Sequence, residues 1–272
     1  MANQKRKQTE DARFREFTNA LDKFWNDCKE ENSRYKSWEH CYEQFYRARK
    51  RKHLSEKDYD FLSLHLAFYL SSWGMLRNSF LLECDYKIHI SVIKEILNPR
   101  YQDLVGVKCS DIFNEKDDKW DRLEELEKNI RSIYWKIREK VYKKKVLDLP
   151  AKDVSDVLIT KVLMGTLGCV PAYDRFFKEA IAGKENIYEE NKKKKGELKL
   201  YIAPSKFGQD SMTKLVEFYE RHNSELESIR KKKKIDDIEY PQMKLLDMGF
   251  WQLGFDAELR IKAKKRRSKK KG

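Results

Sequence analysis

Hydrophobic residues recur along most of the chain at spacings of three and four, which is typical of helices with one buried face. This pattern runs from Phe14 to Cys28, from Tyr35 to Phe45 and from Asp117 to Tyr142, where it predicts a long amphipathic helix. Ser55 and Asp58 precede another apolar stretch with the spacing of a helix capping box. The pattern therefore predicts a mainly α protein.

The second half of the chain continues the helical pattern. Apolar faces predict further helices over residues 154–163, 171–181, 212–230 and 241–255. Glycine (10) and proline (5) are scarce for a chain of 272 residues, which argues against a turn-rich β fold. We expect one helical globular unit over residues 1–260, divided at most into subdomains of about 1–150 and 151–260, followed by a disordered basic tail over residues 261–272.

Positive charge is concentrated in three segments. The net charge is +14, and residues 192–195, 230–234 and 261–272 together carry 17 positive charges and no acid, so the rest of the chain has a net charge of −3. Clustered lysine and arginine favour a polyanion such as nucleic acid, and we expect DNA as the partner; solvated loops and a solubilising tail are the alternative. The predicted contacts to the DNA backbone within these runs are Lys192, Lys193, Lys231, Lys232, Lys264 and Lys265.

The cysteines and the longest apolar stretch limit the location of the protein. The five cysteines are odd in number and widely spaced, which argues against a disulfide framework or a zinc cluster. No stretch has the length of a membrane span, and the first residues have no apolar signal core. We therefore expect a cytoplasmic protein with no membrane association, no metal and no cofactor, and the sequence identifies no protein partner.

Several polar residues lie in apolar surroundings, where they could carry chemistry. Trp73, Arg77 and Asn78 flank a glycine-containing break and could line a pocket for a base, although a surface turn is the alternative. Asp174 stands at a predicted helix start beside aromatic residues, where a carboxylate could stabilise a developing cation; the alternative is an acid that stabilises the helix dipole. Asp247 is the second candidate for the catalytic acid, and it could instead pair with Arg or Lys.

The segment Leu163-Met164-Gly165-Thr166-Leu167-Gly168-Cys169-Val170-Pro171-Ala172-Tyr173-Asp174 resembles part of the helix-hairpin-helix DNA glycosylases, over about 30 residues in all. The resemblance implies a helix-hairpin-helix-like unit in which Gly165 and Gly168 contact the DNA backbone. It also implies base flipping, with Tyr173 in the base pocket and Asp174 stabilising positive charge on the sugar. The hairpin lacks the lysine of the lyase members, which implies a monofunctional enzyme that leaves an abasic site. A modified base of bacteriophage DNA, removed in antiviral defence, would be one substrate.

Two other functions compete with base excision. One is a nucleic-acid-binding protein without catalysis, in which Asp174 is a structural cap. The other is a small helical ribonuclease, because Arg47, Arg49 and His53 resemble the Arg and His element of the HEPN ribonucleases.

Overall fold

The computed structural model describes residues 2–77, 79–145, 153–183 and 202–269, and these residues are mainly α-helical, as the sequence predicted. The helices are α1 (Ala2–Lys29), α2 (Lys36–Arg49), α3 (Glu56–Ser72), α4 (Ile90–Ile96), α5 (Lys119–Lys144), α6 (Asp156–Thr166), α7 (Arg175–Ile181), α8 (Gln209–Arg221), α9 (Asn223–Arg230) and α10 (Gln242–Lys269). Short 3₁₀ helices cover Phe80–Glu83, Tyr86–His89, Pro99–Leu104 and Cys109–Asp111. Strands β1 (Lys234–Ile235) and β2 (Ile238–Glu239) form an antiparallel hairpin in which Lys234 pairs with Glu239.

The chain folds as two compact units, and each is built from separate segments of sequence. The first unit contains Met1–Glu30, Tyr173–His222 and Leu245–Gly272, and the second contains Glu31–Ala172 and Asn223–Lys244. The sequence also left open a division into subdomains near residue 150, and that division stays a prediction.

Aromatic rings form the core of the first unit. The fully buried Phe17 of α1 packs its ring 5.3 Å from that of Phe218 on α8 and 4.7 Å from that of Phe250 on α10. Gly249 permits this approach, because a Cβ at that position would lie 2.3 Å from Cε2 of Phe17. The helical spacing that begins at Phe14 therefore reflects a buried face of α1.

The second unit packs α3 and α2 against α6. Trp38 of α2 donates from Nε1 to the carbonyl of Met164 at 2.9 Å, and Gly165 faces the ring of Tyr69, where a Cβ would lie 2.5 Å from Cε1. At the start of α3, the Ser55 side chain accepts from the backbone N–H of Asp58, and the Asp58 side chain accepts from the backbone N–H of Ser55. This arrangement confirms the capping box.

Some boundaries differ from the sequence prediction. The helix expected over residues 212–230 is divided at His222 into α8 and α9. The hairpin of β1 and β2 was not predicted, because each strand has two residues and gives no alternation to read. Residues 184–201, which include the basic run 192–195, lie outside the described residues.

The prediction of a disordered basic tail was wrong for residues 261–269, which continue α10. Lys and Arg are good helix formers, so a run of them extends a helix that has already nucleated. One helical turn links Glu258 to Lys262, whose Nζ lies 2.7 Å from Oε1, and Glu258 also pairs with Arg175. The segment has no apolar face of its own, which favoured disorder, but it directly continues a helix that is already formed.

Candidate functional site

Asp174 is the N-cap residue of α7 in the first unit. Its Oδ1 accepts from the backbone N–H of Phe177 at 3.2 Å, and its Oδ2 accepts from Nε1 of Trp251 at 3.0 Å. The Trp251 ring stacks on Phe255 at 5.0 Å and meets the edge of Phe176 at 5.4 Å. The half-buried carboxylate thus joins the start of α7 to an aromatic cluster on α10. Helix α7 begins after Asp174, so Pro171 lies before the helix and not in its first turn.

The two other residues of the first unit that were predicted for catalysis or for the base pocket, Tyr173 and Asp247, are buried. Tyr173 is fully buried, and its hydroxyl lies 2.8 Å from Oγ of Ser211, which itself donates to the carbonyl of Pro204 at 2.7 Å. Burial raises the pKa of Tyr173 well above its usual range. Asp247 lies on α10 with 5% of its surface exposed. Both residues therefore lie in the interior of this unit.

Trp73 occupies the C-cap of α3 in the second unit and is surrounded by cations. The Nζ of Lys161 lies 4.9 Å from the centre of its ring, the Nζ of Lys244 lies 5.8 Å away, and the guanidinium of Arg34 lies 5.4 Å away. Tyr35 contributes a second ring, 5.6 Å from that of Trp73. We call Arg34, Tyr35, Trp73, Lys161 and Lys244 the Trp73 cluster.

Several contacts hold the Trp73 cluster in place. Nε1 of Trp73 donates to Oγ of Ser37 at 3.2 Å, and Arg34 donates from Nη1 to the carbonyl of Ser72 at 3.3 Å. Lys244 also lies over the ring of Trp38 at 4.8 Å. Cations over an indole face are favoured electrostatically, most strongly where water is excluded. The geometry thus places like charges around one aromatic side chain.

Sequence reasoning had identified Trp73 but had missed the three cations. Lys161 interrupts the apolar run Val157–Met164, and Lys244 interrupts the apolar run Met243–Trp251. A charged residue within an apolar helix is costly to bury, so these two lysines could have been singled out from the sequence. Arg34 gave no such signal, since it lies in a polar loop before α2. Arg77, predicted beside Trp73, is exposed, and Asn78 lies outside the described residues.

Gly165 and Gly168, predicted to contact the DNA backbone, are both buried in the second unit. Gly168 has a φ of +64°, and a Cβ there would lie 2.4 Å from Cγ of Pro241 and 3.0 Å from Cε2 of Tyr42. The backbone N–H of Gly168 donates to the carbonyl of Leu163, and this bond ends α6. The glycines therefore serve the turn after α6 and close packing.

A basic segment at the end of α2, residues 47–52, contacts the hairpin that begins in the basic run 230–234 of the second unit. Arg47, near the end of α2, lies 3.3 Å from Oδ2 of Asp236 and 3.4 Å from Oδ1 of Asp237, which form the turn of the hairpin. This contact brings the hairpin beside the end of α2. The exposed lysines of these two segments form no ion pair within the part of the chain that the structure describes. We call these residues the hairpin patch: Lys50, Lys52, Lys231, Lys232 and Lys234.

The basic end of α10 is a second exposed region of positive charge, in the first unit. Residues 261–267 are all exposed and include Lys264 and Lys265. Lys192 and Lys193, the remaining predicted backbone contacts, lie outside the described residues.

The Arg and His element that resembles the HEPN ribonucleases is spread over different environments. Arg47 pairs with Glu43 at 2.8 Å in addition to the hairpin turn. Arg49 donates from Nη2 to the carbonyl of Ile96 at 3.1 Å, and burial lowers its pKa to about 10. His53 is exposed in the loop after α2. The structure engages both arginines in contacts that fix the end of α2.

Comparisons with protein-family models, with curated proteins and with solved structures found no match to this chain. In the described ranges, no helix combines the length and apolar character needed to cross a membrane. The described His, Cys, Asp and Glu side chains also form no group of three or more that could hold a metal ion.

Proposed function

We propose that this protein binds nucleic acid through the phosphate backbone, with the hairpin patch as one contact surface. The observation that carries the proposal is the contact of Arg47 with Asp236 and Asp237, which brings two basic segments onto one part of the second unit. The acidic side chains are paired with arginines there, while the lysines face water. Exposed lysines of this kind release condensed counterions when they approach phosphates.

The exposed basic end of α10 supports the same function from the first unit. A helical segment holds its charges at fixed spacing, so binding a polyanion orders less chain than it would for a disordered tail. The segment 261–267 contains five lysine and arginine residues. A duplex with one phosphate charge per about 1.7 Å of its axis offers many partners along such a helix.

The test measures binding to a fluorescent 20-base-pair duplex and to a single strand of the same length by anisotropy, between about 50 and 200 mM salt. The variant changes Lys231, Lys232 and Lys234 to Gln. Three lost phosphate contacts would reduce the slope of log affinity against log salt by about 3 and weaken binding at low salt. The matched control changes the exposed Lys57, Lys108 and Lys116 to Gln, which removes the same charge elsewhere on the second unit. Equal losses in both variants, or binding without salt dependence, would contradict the proposal.

Base excision is a second candidate, favoured by the fixed position of the Asp174 carboxylate. Its two oxygens accept from Phe177 and Trp251, so the group would hold its place while positive charge developed on a nearby sugar. Alkali treatment of ordinary, damaged and phage-modified duplex DNA, after incubation with the protein, reveals abasic sites. Abasic sites formed by the wild type and not by Asp174→Asn would support excision. Their absence on every substrate, with binding intact, would leave the binding function alone.

A further inference from the structure

We infer that two copies of this protein pair through helix α3 of the second unit, as a weak antiparallel dimer with Leu64 at its centre. The surface consists of Phe61, Leu64 and Phe68, which we call the α3 stripe. The inference does not depend on nucleic-acid binding, and it concerns a surface to which the proposed function assigns no role.

The α3 stripe is an apolar surface that the second unit leaves uncovered. Phe61 is 50% exposed, Leu64 is 52% exposed and Phe68 is 54% exposed, while other faces of the same helix pack against α2, α4 and α6. Residues three and four apart are neighbours on a helix surface, so these side chains form one patch. Single exposed apolar residues need no explanation, whereas a contiguous group of them is typical of an interaction site.

The spacing of the α3 stripe fits a second copy of the same helix. At spacings of four, three, four and three, the stripe continues to the exposed Lys57 before it and to the exposed Ser71 after it. This is the spacing with which two helices interlock side by side at a small crossing angle. In an antiparallel pair, Leu64 meets the Leu64 of the second copy, and each Phe61 meets a Phe68. A two-fold dimer requires such a self-complementary surface.

The charges beside the α3 stripe are compatible with a second copy. The acids at the start of α3 are each paired with a cation of the same chain: Glu56 with Lys94, Asp58 with Arg51 and Asp60 with Lys87. Because these charges are already balanced, a strongly charged partner would gain little from them. An identical, balanced surface meets no unpaired acid here.

The position of Lys57 favours the antiparallel direction. Lys57 lies seven residues before Leu64, so in an antiparallel pair its two copies are about 21 Å apart, well beyond the screening length of about 8 Å at physiological salt. A parallel pair would place these two like charges side by side. In the antiparallel pair each Lys57 instead lies near the C-terminal end of the other α3. The last turn of α3 contains no basic residue, and the negative end of the helix dipole there favours a cation.

The size of the α3 stripe determines how strong the dimer can be. A half-exposed Phe or Leu leaves about 100 Å² to be covered, so the stripe offers about 300 Å² per copy. A stable dimer buries about 800 Å² per partner, and we therefore expect a weak, reversible dimer. The net charge of +14 on each copy opposes association further. Salt screens this repulsion, so dimerisation should strengthen as salt rises, whereas nucleic-acid binding should weaken.

The experiment is sedimentation equilibrium of the full chain, free of nucleic acid, at protein concentrations between about 1 and 500 μM. The average mass should rise with concentration from the 32.8 kDa of the monomer towards that of a dimer. The rise should begin at a lower concentration in about 300 mM salt than in about 100 mM salt. Leu64→Glu should stay monomeric throughout, because two carboxylates would face each other within an apolar contact.

The matched control is Leu82→Glu. Leu82 is 64% exposed in the second unit and lies outside α3, so this variant adds the same charge at another exposed leucine. It should dimerise as the wild type does. A Leu64→Glu variant that also dimerises as the wild type does, or a wild type that is monomeric at every concentration and salt, would overturn the inference.

Oxidative cross-linking tests the direction of the pair and does not require Leu64→Glu to fold. With the half-buried Cys84 changed to Ser, Leu64→Cys should give disulfide-linked dimers, because a residue at the centre of the pair lies close to its copy. Lys57→Cys should give none, since its two copies lie about 21 Å apart. Cross-linking of Lys57→Cys as strong as that of Leu64→Cys would overturn the antiparallel arrangement.

Two other outcomes would assign the α3 stripe differently. A mass above that of a dimer would show a contact that is not closed by two-fold symmetry, and it would overturn the inference. Phosphatidylcholine vesicles test a membrane surface as the occupant. Binding of these vesicles by a monomeric wild type, and not by Leu64→Glu, would overturn the second copy as the partner of the stripe.

Discussion

Two tryptophans of this protein lie beside charged groups, with opposite consequences. In the first unit, Trp251 donates its Nε1–H to the carboxylate of Asp174 and is packed among phenylalanine rings. In the second unit, Trp73 donates to the neutral Ser37, and its ring is surrounded by lysine and arginine. The first arrangement ties a helix start to a core, whereas the second concentrates positive charge at a ring that reaches the surface. The comparison shows that the same side chain beside a charge can either join a helix to the core or lie in a cluster of like charges. The groups that surround the indole decide between the two.

The largest expected effect on stability comes from removing the indole of Trp251, and removal of the Trp73 indole is the matched comparison. Trp251→Ala should destabilise the protein by about 3–5 kcal/mol, because a buried aromatic side chain is lost and a cavity remains. Trp73→Ala should cost about half of that or less, because the ring is half-buried. Chemical denaturation of the two variants measures the difference, and equal losses would remove the distinction between the two sites.

Acid should destabilise the second unit through His89. Burial lowers the pKa of His89 from 6.5 to about 4, and its Nδ1 lies 2.7 Å from the hydroxyl of Tyr134. Between these two pH values His89 is protonated in the unfolded chain and neutral in the folded chain. The free energy of unfolding therefore falls as the pH falls from about 6.5 to 4, by about 3 kcal/mol in total. Denaturation as a function of pH measures the slope. In His89→Gln, unfolding should take up one proton fewer, so the free energy of unfolding should depend less steeply on pH. An unchanged slope would show that another group is responsible.

Asp174 should contribute to stability through two separable contacts. Asp174→Ala should cost about 2 kcal/mol, since α7 loses its cap and the Nε1–H of Trp251 loses its acceptor. Asp174→Ser should cost about 1 kcal/mol, because serine also caps helices but is too short to keep both contacts. Thermal unfolding of the pair checks this order. Wild-type stability in both variants would show that the carboxylate has no structural role.

The smallest stability effect is expected at the end of α10. Removal of residues 261–272 should change stability by about 0.5 kcal/mol or less, because the residues described from 261 to 267 are exposed and surface ion pairs such as that of Lys262 with Glu258 contribute little. The same truncation should weaken nucleic-acid binding. Full-length protein with Lys262, Lys264, Arg266 and Arg267 changed to Gln separates charge from chain length, and a large fall in melting temperature on truncation would contradict the prediction.

The helical faces could be predicted because their signal is local. Phe17, Leu21, Phe24 and Cys28 follow the spacing of one helix face, and all four are buried. The capping box at Ser55 depends on residues three apart in sequence, so it too was readable. The break between α8 and α9 at His222 could not be predicted, because apolar residues at helical spacing continue across it from Tyr219 to Leu226.

The candidate sites were predictable only in part. The sequence identified Trp73 as exceptional and the lysine runs as charged segments. It could not place Arg34 and Lys161 beside the same indole, because α6 and the loop before α2 are brought together by packing of the second unit. It also gave no reason to place the run that ends at Lys234 next to Arg47, which depends on the turn of an unpredicted hairpin.

The sequence by itself determined the helical class, most helix faces, the capping box and the amount and clustering of positive charge. These properties depend on residues a few positions apart and on composition, and no distant contact is needed to set them. The tertiary structure decided that Asp174 bonds to Trp251, that Gly165 and Gly168 are buried, and that buried lysines gather at Trp73. Each of these contacts joins chain segments that are far apart in sequence. Such segments come together only when the apolar surface is buried and the core is packed, so the local sequence does not specify which of them meet.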